Sequence, residues 1–313
     1  MQHFEFGWQT EDGLQLYAQG WQPETEPRGV VCLVHGLGEH SGRYKHLAAF
    51  LNQAGYVLLA FDLRGHGKSQ GQRGHTPSYE ALLDDIAHLL EEAAERYPDR
   101  LCFLYGHSLG GNLVINYALH RRPPLAGVVA TGPLFRPAFE PPAWKLTLAR
   151  IMYSVWPTLA MSNELDRQVL SRDPAVVHAY NEDPLVHDRL TPRLTMDMLQ
   201  SGLWALEHAA EFPLPLLLMH GSADRLTSAQ ASREFAAQAG ERCTLKIWDG
   251  FYHEIHNEPE QGEVFAYLLE WLNDSLRNEA TRQRGNEAIR QRGKSRWNLN
   301  GQIPQVIKRR SLD

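Results

Sequence analysis

Leu101-Cys102-Phe103-Leu104-Tyr105 runs straight into Gly106-His107-Ser108-Leu109-Gly110, and a helical pattern continues from Leu109 to His120. The apolar run reads as a buried strand. The residues after it fit G-x-S-x-G, a string too short to decide anything alone. Its setting decides. A strand before and a helix after form the turn that holds a serine hydroxyl up at the carboxyl end of a sheet. The glycines leave room for a strained backbone, and the N–H of Leu109 at the helix start can face a developing oxyanion.

The same rhythm extends in both directions. Upstream, the first residues alternate and turn at Glu11-Asp12-Gly13, as a β-hairpin does. Strands follow at Val30–Val34 and Tyr56–Phe61, with a helix over Tyr44–Gln53 between them. Thr76 and Pro77 are suited to start a helix that runs to about Arg96. Downstream, Leu125–Ala130 and Leu214–Met219 read as strands, Ala229–Ala239 as a helix, Thr244–Trp248 as a strand, and a closing helix runs from Pro259 to Leu276. Such alternation predicts an α/β fold, a mostly parallel sheet with helices on both faces. The rhythm breaks at Gly132-Pro133. Residues 133–212 carry no clear strand and read as a mostly helical lid inserted into a core of residues 1–132 and 213–276.

A serine hydroxyl needs a base. In a parallel sheet catalytic groups gather at the carboxyl ends of strands. His253 follows the strand Thr244–Trp248 and is the best-placed base. Asp224 follows Leu214–Met219 and gives the chain order Ser, Asp, His. Asp249, at the same strand end as His253, and Asp62, after Tyr56–Phe61, are competing acids. The loop after Val30–Val34 reads His35-Gly36-Leu37-Gly38-Glu39, and the N–H of Leu37 is the expected second oxyanion donor. Phe61 to Ser69 is Gly-rich but lacks phosphate-loop spacing, and reads as a packed loop beside the serine turn. In the inserted segment Trp144, Leu148, Ile151, Met152, Val155 and Leu159 fall on one helical side, widened by Leu146, Trp156 and Met161. That face can pack on the core, line an acyl-chain tunnel or meet a membrane, and one helix can do more than one of these.

The chain has 313 residues, 43% hydrophobic and 22% charged, an ordinary globular composition. Its net charge of −6 gives no reason to expect nucleic acid as a partner. Three cysteines, far apart, exclude a disulfide framework and a cysteine zinc site. No signal peptide or membrane span is legible, so a cytoplasmic location is expected. The charge is unevenly spread. Residues 277–313 hold ten Lys/Arg against three Asp/Glu, a net of +7, which leaves −13 on residues 1–276. The tail repeats an octapeptide, Asn278–Gly285 and Asn286–Gly293, with seven of eight positions identical. It reads as a solvated, flexible extension, or as a basic patch for anionic headgroups. Lid and tail are thus the two candidate surfaces for peripheral membrane contact.

Several segments together resemble the monoacylglycerol lipases of the α/β-hydrolase superfamily, grouped with lysophospholipase-like and serine aminopeptidase-like hydrolases. They are His35 to Tyr44, Asp62 to Ser69 with Gly71, Gly106 to Gly111, Tyr180 to Leu185, Gly221 to Leu226 and Tyr252 to Glu258. The Glu39-His40-Ser41-Gly42-Arg43-Tyr44 stretch is the most specific. The lid matches only in part and the tail not at all. The resemblance implies an α/β-hydrolase fold with Ser108 as nucleophile, Asp224 as acid, His253 as base, and Leu37 and Leu109 as oxyanion donors. It also implies that Glu39, Arg43 and His256 recognise a glycerol head, whose free hydroxyls such side chains can saturate. Read locally, Glu39 and Arg43 could instead form an ion pair at a helix start, and His256 could be a surface histidine. The expected activity is cleavage of monoacylglycerol to fatty acid and glycerol, without a metal or organic cofactor. A lysophospholipase, a general carboxylesterase and a non-catalytic scaffold are the alternatives.

Overall fold

The computed structural model describes residues 1–299, in a unit Met1–Trp271 and a second unit from Leu272 onward. Strands β1 (Gln2–Gln9) and β2 (Gln15–Gln22) form the expected hairpin, registered Gln9 to Gln15. Then follow β3 (Gly29–Val34), α1 (Lys45–Gln53), β4 (Tyr56–Phe61), α2 (Tyr79–Arg96), β5 (Cys102–His107), α3 (Leu109–Arg121) and β6 (Gly127–Thr131). Helices α4 (Ala143–Val155), α5 (Pro174–Glu182) and α6 (Pro192–Glu207) come next. The unit resumes with β7 (Leu216–Gly221), α7 (Ala229–Ala239) and β8 (Cys243–Trp248), and α8 (Gln261–Leu299) begins within it.

The sheet has eight strands in the order β1-β2-β4-β3-β5-β6-β7-β8. The β1–β2 and β2–β4 pairs are antiparallel; all other pairs of this sheet are parallel. Every residue of β3, β4 and β7 is buried, as expected of parallel strands covered on both faces. The chain leaves β3 for β4 on one side and returns to β5 on the other. The carboxyl ends of β3 and β5, registered Val34 to Gly106, therefore flank a switch point where ligands bind in open α/β sheets.

Helix α3 is buried on nearly all sides, so it packs as a core element. Its approach requires glycine. A Cβ on Gly110 would meet Val34 O at 2.0 Å, and one on Gly106 would meet Gly110 O at 2.2 Å.

Two boundaries differ from expectation. Helix α2 starts at Tyr79, because the Ser78 hydroxyl accepts from Ala81 N at 3.1 Å. The Thr76 hydroxyl donates to Ser78 O instead, so Thr76 and Pro77 precede the helix. Helix α8 continues past Leu276 to Leu299, and takes both octapeptides into helical backbone. The sequence predicts a flexible tail over residues 277–313; its last part, residues 300–313, lies outside the described residues.

Between β6 and β7, α6 packs on α3. Ser201 Oγ donates to Asn112 Oδ1 at 3.0 Å, and Gly202 leaves the space beside Phe135 O that a Cβ would enter at 2.3 Å. No residue of α4 is buried. Tyr153 holds it to α6 by donating to Asp197 at 3.0 Å. The apolar side of α4 is therefore not packed into the core of the sheet.

Candidate active site

Ser108 sits between β5 and α3 at φ 55°, ψ −113°, a conformation that costs a non-glycine residue of the order of 1–3 kcal/mol. The neighbourhood holds it there. Ser108 N donates to Thr131 O at 2.9 Å, and Ser108 O accepts from Asn112 N at 2.9 Å and Leu134 N at 3.1 Å. Leu109 is the first residue of α3, so its N–H has no acceptor within the helix.

Asp224 lies just beyond β7 and accepts from five donors. Oδ1 takes Leu226 N at 2.7 Å and Thr227 N at 3.0 Å. Oδ2 takes Thr227 Oγ1 at 2.8 Å, His253 Nδ1 at 2.7 Å and His220 Nε2 at 3.0 Å. Burial alone would raise the Asp224 pKa; the His253 charge and the His220 hydrogen bond outweigh it and hold the carboxyl well below its ordinary range. Burial likewise disfavours an imidazolium at His253, yet the Asp224 carboxylate shifts its pKa upward. The competing acids are engaged elsewhere. Asp249 accepts from Ser222 Oγ at 3.0 Å on the surface. Asp62 accepts from Ser41 N and Lys68 N, each at 2.8 Å, and so ties its Gly-rich loop together.

Sequence reasoning assigned no role to His220 and Thr227. His220 is buried at the end of β7, with Nδ1 2.8 Å from Ser232 Oγ. Its place four residues before Asp224 was the available signal.

The loop after β3 brings Leu37 and Glu39 to the same place. Glu39 Oε1 accepts from Gly36 N at 2.7 Å and from Tyr44 Oη at 2.8 Å. Its Oε2 pairs with Arg43 Nη1 at 2.7 Å. Arg43 also binds Glu254 through both terminal nitrogens, each at 2.7 Å. Burial opposes ionisation of all three groups. The guanidinium nevertheless keeps both carboxyls below their ordinary range, and they keep Arg43 well above its own. Two carboxylates thus share one cation. His256 is fully buried, stacked on Tyr44 at 4.8 Å and edge-on to His107 at 4.7 Å. Burial, then the charge of His107, hold its pKa well below the ordinary histidine value.

Ser108, His253, Asp224, Leu37, Leu109 and Glu39 all line one cavity of about 910 Å³. Arg43 and His256 do not line it. Arg43 is drawn into the Glu39–Glu254 ion pair, and His256 is covered by Tyr44 and His107. Glu254 lines the cavity instead. Away from the serine the lining includes the apolar Trp144, Leu148 and Met152 of α4 and Met198 of α6, beside the charged Lys145, Glu164, Asp166 and Arg167. The segment that carries these helices is pinned to the β3 loop. His187 N donates to Gly38 O at 2.9 Å, and His40 Nε2 lies 2.9 Å from Asp183 Oδ2. Among the described residues no cluster of His, Cys, Asp or Glu could hold a metal ion, and no helix is long and apolar enough to cross a membrane.

Comparison with known proteins shows the family. The family model described as serine aminopeptidase, S33, matches residues 25–260. An uncharacterized abhydrolase domain-containing protein of Dictyostelium discoideum is 38% identical over 272 residues, which are 86% of this chain and 29% of that protein. The monoacylglycerol lipase of Mycolicibacterium smegmatis is 35% identical over 266 residues, 84% of this chain and 95% of that one. The crystal structure of Paleococcus ferrophilus monoacylglycerol lipase is 40% identical with a TM-score of 0.77, covering 83% of this chain and 99% of the other. The chain is a carboxylic ester hydrolase and belongs to the monoacylglycerol lipase family of the α/β-hydrolase superfamily.

Proposed function

We propose that this hydrolase cleaves monoacylglycerol to fatty acid and glycerol, with Ser108 as nucleophile, His253 as base and Asp224 as its orienting acid. The observation that carries the reading is the 2.7 Å contact of His253 Nδ1 with Asp224 Oδ2, in a cavity that His253 and Ser108 both line.

Asp224 accepts a hydrogen bond from the Nδ1–H group of His253, which fixes the tautomer whose Nε2 is free to take the Ser108 hydroxyl proton. Ser108 Oγ then adds to the ester carbonyl carbon. The N–H groups of Leu37 and Leu109 receive the oxyanion, where each donor is worth about 10²–10³ in rate. The tetrahedral species collapses, and His253 returns the proton to the departing glycerol oxygen. Water, deprotonated by His253, hydrolyses the acyl-enzyme by the same route. Glu39 offers its carboxylate to the glycerol hydroxyls, and Arg43 keeps that carboxylate ionised from behind. The apolar walls take the acyl chain. Residues 133–212 act as the lid over a core of residues 1–132 and 213–276, and its exposed outer side suits a protein peripheral to a lipid surface.

The test is a panel of monoacylglycerol, diacylglycerol, lysophosphatidylcholine and short p-nitrophenyl esters. Monoacylglycerol should give the highest kcat/KM. A kcat/KM at least about tenfold higher for lysophosphatidylcholine would replace the reading with a lysophospholipase.

A further inference from the structure

The guanidinium of Arg43 is held between two carboxylates. Nη1 donates to Glu39 Oε2 and Glu254 Oε1, and Nη2 to Glu254 Oε2, all at 2.7 Å. The Tyr180 ring covers it, 4.7 Å from the guanidinium carbon. Asn257 Nδ2 donates to Glu254 Oε2 at 2.7 Å and holds that carboxylate in its fork. Bidentate charge-assisted pairs are among the strongest polar contacts, so this one does not open readily.

Both carboxylates, and not the guanidinium, line the cavity. Glu39 Oε1 and Ser108 Cβ each lie within 3.2 Å of the place a Cβ on Gly36 would take. Glu254 directly follows His253 in the chain. The Glu39–Arg43–Glu254 group beside the serine therefore carries one net negative charge, buried where salt screens it poorly.

We propose that Glu254 is a specificity-determining residue. It locks Arg43 and adds a second carboxylate, which admits esters of neutral, hydroxyl-bearing alcohols and excludes esters whose alcohol part carries an anionic group such as phosphate. Hydroxyls can donate to Glu39 and Glu254. A phosphate can only accept, and beside the serine it meets two carboxylates and an occupied guanidinium. Of the other cations that line the cavity, Lys145 is paired with Glu164, Arg167 donates to Asn181, and Arg225 lies next to the Asp224 carboxylate in the chain. The inference rests on the assignment of Ser108 as nucleophile.

The experiment compares 1-oleoylglycerol, its 3-phosphate and p-nitrophenyl decanoate on the full chain, with each rate normalised to the p-nitrophenyl ester. The natural enzyme should prefer the neutral glyceride over its phosphate by about a hundredfold, and Glu254→Gln should narrow that ratio by about tenfold. If Glu254→Gln is inactive on all three esters, Glu39→Gln removes the other carboxylate and must narrow the ratio in the same direction. A natural enzyme that hydrolyses the phosphate as well as the neutral glyceride overturns the proposal. So does a ratio left unmoved by the active variant. Ser108→Ala is run in parallel: undiminished turnover there overturns the nucleophile assignment, a result that no change in the ratio could mimic.

Discussion

His220 Nε2 lies 3.0 Å from Asp224 Oδ2, the same oxygen that binds His253. The two histidines hold the carboxylate between them, so the acid is fixed from behind as well as in front. Asp224→Asn should lower kcat by about 10⁴, because the amide favours the wrong imidazole tautomer. Asp249→Asn should leave kcat nearly unchanged, since Asp249 meets only surface groups. His220→Ala removes one bond to a charged group and should cost about 10- to 100-fold, with partial recovery in His220→Gln. A larger loss for Asp249→Asn than for Asp224→Asn would reassign the acid.

Strain at Ser108 gives a stability prediction separate from activity. Ser108→Ala should lower kcat by about 10⁶ while keeping the fold. Ser108→Gly should be equally inactive yet more stable, by about 1 kcal/mol. Relief of 1–3 kcal/mol at φ 55° outweighs the 0.5–1 kcal/mol that glycine flexibility costs. Denaturant unfolding of the two variants measures the difference. A glycine variant less stable than the alanine one would show that the turn stores no strain.

In the proposed mechanism His253 must be neutral to act as base, and Asp224 raises its pKa. The acid limb of kcat/KM should therefore have its midpoint above the ordinary histidine value of about 6.5. Activity falls as the pH drops through that midpoint. Asp224→Asn removes the charge and leaves burial, which disfavours the imidazolium, so the limb should move to lower pH. Glu254→Gln should move it the same way, because the Glu254 charge also raises the His253 pKa. A limb that stays in place in Asp224→Asn belongs to another group.

The serine turn was legible because Gly106 and Gly110 answer a local demand, the close approach of α3 to the strands. The meeting of His253 with Asp224 was legible because each follows a strand end on the same edge of the parallel sheet. The occupied state of Arg43 was not. Glu254 is 211 residues away, and no spacing rule shows which of several carboxylates will claim a guanidinium. The same holds for His256, whose burial depends on Tyr44 and His107 from two other segments. The start of α2 was misplaced because Thr76 and Ser78 are both capping residues, and only the direction of the Thr76 hydroxyl separates them. The end of α8 was missed because the repeat was read for charge. Its Ala, Glu, Gln and Arg are strong helix formers, and they outweigh the two glycines, each costing about 1 kcal/mol.

Two surfaces compete for a role at a lipid interface, and salt separates them. Ile151, Val155 and Trp156 are exposed, Val155 to 74%, and none of them lines the cavity. An apolar contact through this side of α4 should resist salt. The tail from residue 277 carries +7 and the rest of the chain −13, so the tail's attraction to anionic lipid should fade as the Debye length shrinks to roughly 8 Å at physiological salt. Sedimentation with anionic vesicles should thus show two parts. Truncation after Leu276 should remove the salt-sensitive part, and Ile151→Asp with Val155→Asp the salt-resistant part. Both variants should keep hydrolysis of a soluble short-chain ester, since neither change touches Ser108, Asp224 or His253. Equal vesicle binding by the truncated and full chains would remove the tail from the lipid interface. Unchanged binding at high salt by the double variant would remove the outer side of α4.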